Sequence, residues 1–475
     1  MKKNGKNFIY NLIYQVFILI MPLITSPYIS RVFGPSGVGT YSYYFTIATY
    51  FTYFELLGVN NYGVREIAKC KCDDERNKVF SGIYLTQLMV SLLVLFIYFL
   101  SCFIFGGENF WLMICFIPYV ISGGLDINWY FFGTEQFKIT TIKNIIIKSA
   151  VICLIFLVIK FDTDLLKYVL IISFGYLFSQ IIMWMYLLKK VSFYKPYLKD
   201  ITYHLKRLLI LFIPVLAISL YRLMDKVMLG LISNMEQVGY YESAEKIVGV
   251  PGAVTTALGI SMLPRMTNLS DKNDDILLKK NIYNSIYFIE FLCFPMIFGL
   301  IAVSDIFIPL YYGTKFIESS MVLKILSISL IFSSVASVVR TQYLVPKEKD
   351  NIYIISVILG AIVNLIINSF LIKYFGANGA ALGTIFAEAT VAIYQIFMLR
   401  KELPLVKTII KGWIFFVIGF IMFIAIYFLN IYIARYDYII TLIIDIVVGI
   451  IIYLLFSSYF ILIFIKRVNE YGRKT

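Results

Sequence analysis

The sequence predicts an all-α polytopic membrane protein of about fourteen transmembrane helices: two pseudo-symmetric six-helix lobes and two further helices at the C-terminal end. Three observations lead there. Hydrophobic residues make up 60% of the 475 and charged residues only 15%, with a mean hydropathy of +0.84; a soluble domain is nearer half apolar and a quarter charged. Apolar runs long enough to cross a bilayer, about 20 residues each, recur along the whole chain. A pattern near the first two runs returns 200 residues later.

The first run, Phe8–Ile29, follows MKKNGKNF. It is too long for the apolar core of a signal peptide, and no small-residue cleavage site follows, so it reads as an uncleaved span. Taken in order, the apolar runs place spans at 8–30, 38–60, 81–105, 110–132, 142–160, 165–188, 207–232, 238–262, 282–303, 321–345, 351–373, 377–399, 413–431 and 438–465. The run 321–345 is interrupted by Lys324 and Arg340.

Positive charge orients the spans. With the N-terminus inside, thirty Lys and Arg fall on inner segments, among them Lys138, Lys143 and the set from Lys189 to Arg207. Six fall outside: Arg31, Lys160, Lys167, Lys315, Lys373 and Arg435. Lys and Arg mark cytoplasmic loops, so both termini are expected in the cytoplasm. Topology accounts for much of the net charge of +14, and nucleic acid is not expected as a partner.

The repeat divides the chain. Val38-Gly39-Thr40-Tyr41 returns as Val238-Gly239-Tyr240-Tyr241, and Arg65 as Arg265. Six spans separate the copies, an even number, so both run the same way across the membrane. The expected organisation is a first lobe at 1–188, a basic linker at 189–206, a second lobe at 207–400, and two additional helices with a basic tail at 401–475.

Soluble-enzyme chemistry has little to work with. The one histidine, His204, lies among basic loop residues, and Cys70-Lys71-Cys72 has no second ligand pair. No metal, cofactor or catalytic residue is expected, and loops of about 20 residues leave no room for a paired-acid sugar-transfer site.

Ionisable groups inside spans cost a few kcal/mol each and are functional candidates by default. They are Glu55, Asp126, Lys148, Arg222, Asp225, Lys226, Glu242, Glu245, Lys246, Glu290, Lys324, Arg340, Glu388 and Asp445. Arg222, Asp225 and Lys226 should share a depth with Glu242, Glu245 and Lys246, and together they carry no net charge. They form either a polar seam locking two helices or a substrate or ion site. Glu242 and Lys246 have the favourable i,i+4 order of a local ion pair. Glu388 sits near mid-span, level with Asn364 and Asn368, and suits either ion coupling or a structural hydrogen bond. The aromatic run from Tyr41 to Phe54 fits helix packing better than a sugar path.

The stretch 21–44 is a hinge. Pro22 and Pro27 remove backbone donors from the first span. Gly34, Gly37 and Gly39 allow a tight turn, and Gly239 repeats the last of them. Arg31 stands between the bend and the turn.

These residues carry a resemblance. ISRVFGPSGVGTYSYY at 29–44, LGVNNYGVREIA at 57–68, LDINWYFFGTEQFK at 125–138, VGYYESAEKI at 238–247, LPRM at 263–266 and GANGAALGTIFAE at 376–388 together resemble the Wzx-like polysaccharide-unit flippases of the multidrug/oligosaccharidyl-lipid/polysaccharide exporter superfamily. The resemblance implies a MATE-like pair of lobes around a cationic cavity. It implies movement of undecaprenyl-diphosphate-linked oligosaccharide from the cytoplasmic to the outer leaflet of a bacterial inner membrane by alternating access, serving O-antigen, capsule or exopolysaccharide assembly. Arg31 matches a cavity arginine of the related lipid II flippases, although Val32 stands where those have an acid. Arg222, Lys226 and Arg340 follow by depth as diphosphate contacts, and Glu388, Asp225, Glu242 and Glu245 as ion-coupling candidates. Membrane lipids and the lipid-linked substrate are the implied partners, with a polysaccharide polymerase and chain-length proteins beside a monomeric transport unit. A multidrug/cation antiporter of the same superfamily is the alternative.

Overall fold

The computed structural model describes the backbone of residues 2–195, 197–433 and 437–472. The side chains of 1–16, 18, 19, 196, 214, 217, 220, 221, 433–436 and 460–475 lie outside the description, and with them Arg435 and the terminal basic residues. The described chain is helical, without strands. It divides into two compact units, Met1–Gly239 and Tyr240–Thr475. Among the described residues, nine helices are long and apolar enough to cross a membrane, or ten if one bent pair counts as a single span.

In the first unit, α1 (Lys2–Leu56) carries the first two expected spans, separated at Gly34, whose φ of 67° and ψ of −178° break the helix. Such a φ suits glycine, which has no Cβ to clash. Pro22 and Pro27 lie within the helix before this break, and Pro35 directly after it. A second positive-φ break at Leu57 and Gly58 (43° and 77°) ends α1 and starts the short α2 (Val59–Lys69). Then follow α3 (Asp73–Phe105), α4 (Phe110–Cys115), α5 (Ile117–Gly124), α6 (Asn128–Gly133), α7 (Phe137–Val158), α8 (Leu165–Leu187) and α9 (Leu198–Ile232).

The expected span 110–132 is broken rather than straight. The segment Gly107–Cys115, which ends in α4, and the α5–α6 run Ile117–Gly133 are bent by 44°, where Pro118 removes a backbone donor. The chain leaves the helix again at Asp126. Asp126 sits at this second break: its Oδ1 accepts from the backbone N–H of Asn128 at 2.8 Å and from Asn128 Nδ2 at 2.7 Å, opening α6. Lys143 also departs from expectation. Counted on an inner segment at the start of the span 142–160, it is buried within α7, and its Nζ has no hydrogen-bond partner.

The core of this unit joins α2, α3, α6, α8 and α9 through Tyr62, Phe80, Tyr84, Trp129, Met183 and Leu208. The expected aromatic run packs rather than lining a path. Tyr41 meets Tyr168 at 4.8 Å, Phe45 meets Tyr119 at 4.9 Å, and Tyr119 meets Tyr176 at 4.9 Å.

α10 (Met235–Asp271) begins in the first unit and continues into the second. It is followed by α11 (Asp275–Tyr312), α12 (Ser319–Val339), α13 (Asp350–Leu399), α14 (Leu405–Ile433) and α15 (Tyr438–Gly472). At 50 residues, α13 would be about 75 Å long if straight, more than twice a bilayer core. It is broken at Gly376 (φ 53°, ψ −129°), between the two runs expected at 351–373 and 377–399. Lys324, the interruption in the run 321–345, is satisfied by Asp305 of α11 at 2.6 Å. α12 passes into a π-helical turn, Arg340–Leu344. One core joins α11, α12 and the α13–α14 link through Ile282, Ile286, Ile289, Leu330, Val338 and Leu403. A second joins α11 to α14 and α15 through Phe298, Phe415, Met422 and Tyr453.

Candidate functional site

The hinge residues hold close helix contacts in the first unit. A Cβ on Gly39 would overlap the carbonyl oxygen of Met235, and one on Gly239 would overlap that of Pro35. The two repeat glycines thus let the restart of α1 and the first turns of α10 cross backbone to backbone. Gly37 sits one turn beyond Phe33, whose Cβ a side chain there would crowd at 2.8 Å. Arg31 is exposed, three residues before the break.

α9 lies along the second half of α1. Gly230 leaves room for the Tyr43 ring, and the Tyr50 hydroxyl donates to the Ser219 carbonyl at 3.4 Å. Between these two points Asp225 is buried, Lys226 half-buried and Arg222 exposed. The helix therefore turns one acid inward toward α1 and presents one guanidinium outward.

In the second unit Glu242 and Lys246 form the expected pair at 3.0 Å, with Glu242 buried and Lys246 partly exposed. A neighbouring polar group gathers three helical segments. Asn368 Nδ2 donates to Asn364 Oδ1 at 3.1 Å, and Gly383 lies so close to Asn368 that a Cβ would overlap its Oδ1. Thr384 and Tyr241 share a hydroxyl contact of 3.0 Å. Glu388, half-buried, follows Thr384 by one helical turn. The break at Gly376 folds the Asn364–Asn368 half of α13 back on the Gly383–Glu388 half, so residues far apart along the chain become neighbours. Glu245 is half-buried on α10. Arg340 stands apart at the end of α12, its guanidinium 4.3 Å over the Tyr353 ring. Among the described residues no group of three or more His, Cys, Asp or Glu is placed to hold a metal.

Sequence reasoning missed a buried polar knot in the first unit. Gln87 of α3 donates to the Asp126 carbonyl at 2.9 Å and to those of Gly123 and Gly124 at 3.3 Å, while its Oε1 accepts from Trp129 Nε1 at 3.2 Å. Trp184 Nε1 donates to the Leu125 carbonyl at 3.0 Å. Trp129 itself rests on Gly63 of α2, and Gly133 of α6 rests on Ile67 and Val64. The LGVNNYGVREIA and DINWYFFG stretches are therefore two faces of one contact. Gln87, a fully polar residue inside an apolar run, was the available signal. Tyr62 adds a hydrogen bond to His204 Nδ1 at 2.8 Å, so the single histidine ties α9 to α2. Glu55, expected as an in-span acid, is buried against Gly123; Glu290 is buried against Gly412 of α14.

At the loop after α13, Lys349 and Tyr343 both donate to Glu402, and these hydrogen bonds hold its carboxyl below the usual range. Lys347 pairs with Asp275 at 2.7 Å.

These features define an all-α polytopic membrane protein with the fold of a transporter. A solved lipid II flippase, MurJ in an inward closed conformation, has the same fold with a TM-score of 0.76 at 17% identity, covering 96% of this chain and 98% of that one. An inward-facing multidrug resistance MATE family transporter of the MOP superfamily matches with a TM-score of 0.60 at 12% identity, over 83% and 95% of the two chains. The chain belongs to the polysaccharide biosynthesis protein family, whose model matches residues 4–270. A relative from Shigella dysenteriae, named "Putative O-antigen transporter", is 24% identical over 387 residues, covering 79% of this chain and 95% of the relative.

Proposed function

We propose that the protein is a flippase that moves undecaprenyl-diphosphate-linked oligosaccharide repeat units from the cytoplasmic to the outer leaflet of a bacterial inner membrane, supplying surface polysaccharide assembly. The observation that carries this reading is the family match over residues 4–270. The O-antigen transporter relative, aligned over nearly its full length, supports the substrate class.

The exposed arginines suit the chemistry. A guanidinium at membrane depth is costly unless it meets water or an anion, and a diphosphate offers Arg a bidentate partner. Arg31 on α1, Arg222 on α9 and Arg340 at the end of α12 are exposed, and with Lys226 they are the proposed diphosphate contacts. Glu388 with Asp225, Glu242 and Glu245 supplies the proposed ion coupling. The hinge at Pro22, Pro27, Gly34, Gly37, Gly39 and Gly239 supplies the movement of the first span. A total of fourteen spans follows if α9 and the bent pair count once and α1 and α13 twice. Both termini then lie in the cytoplasm, the repeat halves being 1–188 and 207–400. The reading is of transport rather than catalysis, by one chain, beside a polymerase and chain-length proteins.

Transport of a labelled lipid-linked oligosaccharide in proteoliposomes tests this. The wild type is expected to move it between leaflets, and Arg31→Ala to lose at least tenfold in rate while inserting and folding normally. Glu388→Gln is expected to abolish dependence on an imposed ion gradient. Wild-type vesicles that leave the labelled lipid on its starting leaflet, gradient or not, overturn the proposal.

A further inference from the structure

Arg65, one of the two arginines matched by the repeat, takes no part in the proposed transport path. It is exposed on α2, with its guanidinium 6.0 Å from the centre of the Tyr62 ring. Tyr62 meets His204 of α9 at 5.8 Å, His204 meets Tyr203 at 5.5 Å, and the Arg207 guanidinium lies 5.1 Å over the Tyr203 ring. A strip of three rings thus joins α2 to α9 with a guanidinium at either end, and both guanidiniums act on the Tyr62 hydroxyl.

The strip is short of acid. Over α2 and residues 198–208 of α9, Arg65, Lys69, Lys199, Lys206 and Arg207 stand against Glu66 and Asp200, five cations to two carboxylates. Glu66 is already shared by Arg65 at 3.4 Å and Lys69 at 3.0 Å. Among the described residues no carboxylate pairs with Arg207, which has the Tyr203 ring instead.

Further along, α9 changes character on one face. Tyr203, Lys206, Arg207, Ile210 and Ile213 follow the three- and four-residue spacing that puts side chains on one stripe of a helix. All five are exposed, Ile210 and Ile213 by 66% and 61%. From its N-terminal end the stripe is aromatic, then basic, then apolar. That is the order of a membrane interface, with tyrosine and basic groups at headgroup level and aliphatic side chains among acyl chains.

The occupant must answer both the charge and the apolar end. A soluble phosphate or an acidic protein segment uses the cations and leaves Ile210 and Ile213 uncovered. A zwitterionic lipid covers the isoleucines but brings its own ammonium to a face with surplus cations. A lipid of net negative charge meets both demands. Its phosphate accepts from guanidinium groups in the two-pronged geometry that Arg offers, and its chains cover the isoleucines.

We propose that this face of the first unit binds an anionic phospholipid, its phosphate held by Arg65 and Arg207 and its chains along Ile210 and Ile213. None of these residues belongs to the transport reading and no lipid-linked sugar is involved, so either proposal can fail without the other.

The test uses the full chain in mixed micelles, with phosphatidylglycerol and phosphatidylcholine of identical acyl chains, measured by equilibrium binding. The wild type is expected to hold phosphatidylglycerol about tenfold tighter at low salt, a preference that shrinks as added salt screens the charges. Arg65→Gln combined with Arg207→Gln is expected to bring the two lipids within about twofold of each other. Glu66→Gln, which removes the carboxylate that competes for Arg65, is expected to widen the preference by about twofold, and it carries the test if the arginine variant does not assemble. Equal binding of the two lipids by the wild type overturns the proposal. So does a preference that neither the paired arginine substitution nor Glu66→Gln moves. Glycerophosphoglycerol, the same headgroup without chains, or an oligoglutamate peptide bound as tightly as phosphatidylglycerol would leave the isoleucines without a role and overturns the lipid assignment.

Discussion

The two copies of the repeat, 31–67 and 231–267, end differently, and the difference comes down to a pair of glycines. In the first copy α1 stops at Leu56, the chain takes positive φ at Leu57 and Gly58, and α2 sets off in a new direction. In the second copy the matching positions are Ala257 and Leu258, and α10 runs unbroken from Met235 to Asp271, past Pro251 and Pro264. Two prolines do not stop this helix, and one left-handed glycine stops the other. The matched arginines survive the divergence, since Arg65 and Arg265 are both exposed. What the break adds is a platform: Gly63 of α2 receives Trp129, whereas the second copy has Leu263 at that place. The repeat has kept its charge and its Gly39/Gly239 crossing, and only one copy has become a seat for another helix.

That comparison can be broken by exchanging residues between the copies. The largest effect is expected from Gly63→Leu, the second copy's residue. Its Cβ alone overlaps the Trp129 ring, and overpacking of this kind costs about 1–3 kcal/mol or more. The variant should melt well below the wild type in detergent, with the intrinsic fluorescence of Trp129 shifted; an unchanged melting temperature would separate α2 from the α6 contact.

Gly58→Leu should come next. A non-glycine residue in the left-handed region costs about 1–2 kcal/mol, and a Cβ there lies 3.2 Å from the Leu211 carbonyl oxygen. Leu258→Gly, the reverse exchange, should cost about 1 kcal/mol through helix propensity alone and leave α10 unbroken. Thermal melts of the pair, together with spin-label distances across residue 58, check both.

Trp129→Phe keeps the ring on Gly63 and removes the hydrogen bond to Gln87. A loss of about 1 kcal/mol is expected, because Gln87 Oε1 is left buried without a donor. Gln87→Leu should cost more than Trp129→Phe, since it also takes the donor away from the carbonyls of Gly123, Gly124 and Asp126.

The smallest effect lies outside the repeat, at Glu402. Its carboxyl is held below the usual value of 4.5 by hydrogen bonds from Lys349 and then Tyr343. A carboxyl with a depressed value stabilises the fold above its unfolded value, and that contribution is lost as pH falls through the folded one. Glu402→Gln should therefore lower the melting temperature by about a degree or two near neutral pH, with the gap to wild type closing as the pH falls below the ordinary value of 4.5 and through the lower folded one.

Much of the fold was legible in the sequence because a bilayer imposes a local rule. Every stretch that crosses must be apolar over its length and must satisfy its own backbone, so composition alone marks the run 81–105 within α3, both halves of α13, and the breaks at Gly34 and Gly376 that separate paired runs. The Glu242–Lys246 pair was legible for the same reason, being set by helical spacing within one element. The tertiary structure decided what depends on shape between distant segments. It set Asp126 at a break in the fourth run to open α6, buried Lys143, set Glu55 against Gly123 and Glu290 against Gly412, and seated Trp129 on Gly63. Hydropathy is summed along the chain, residue by residue. A glycine facing a tryptophan is a property of two surfaces that meet only when the helices pack.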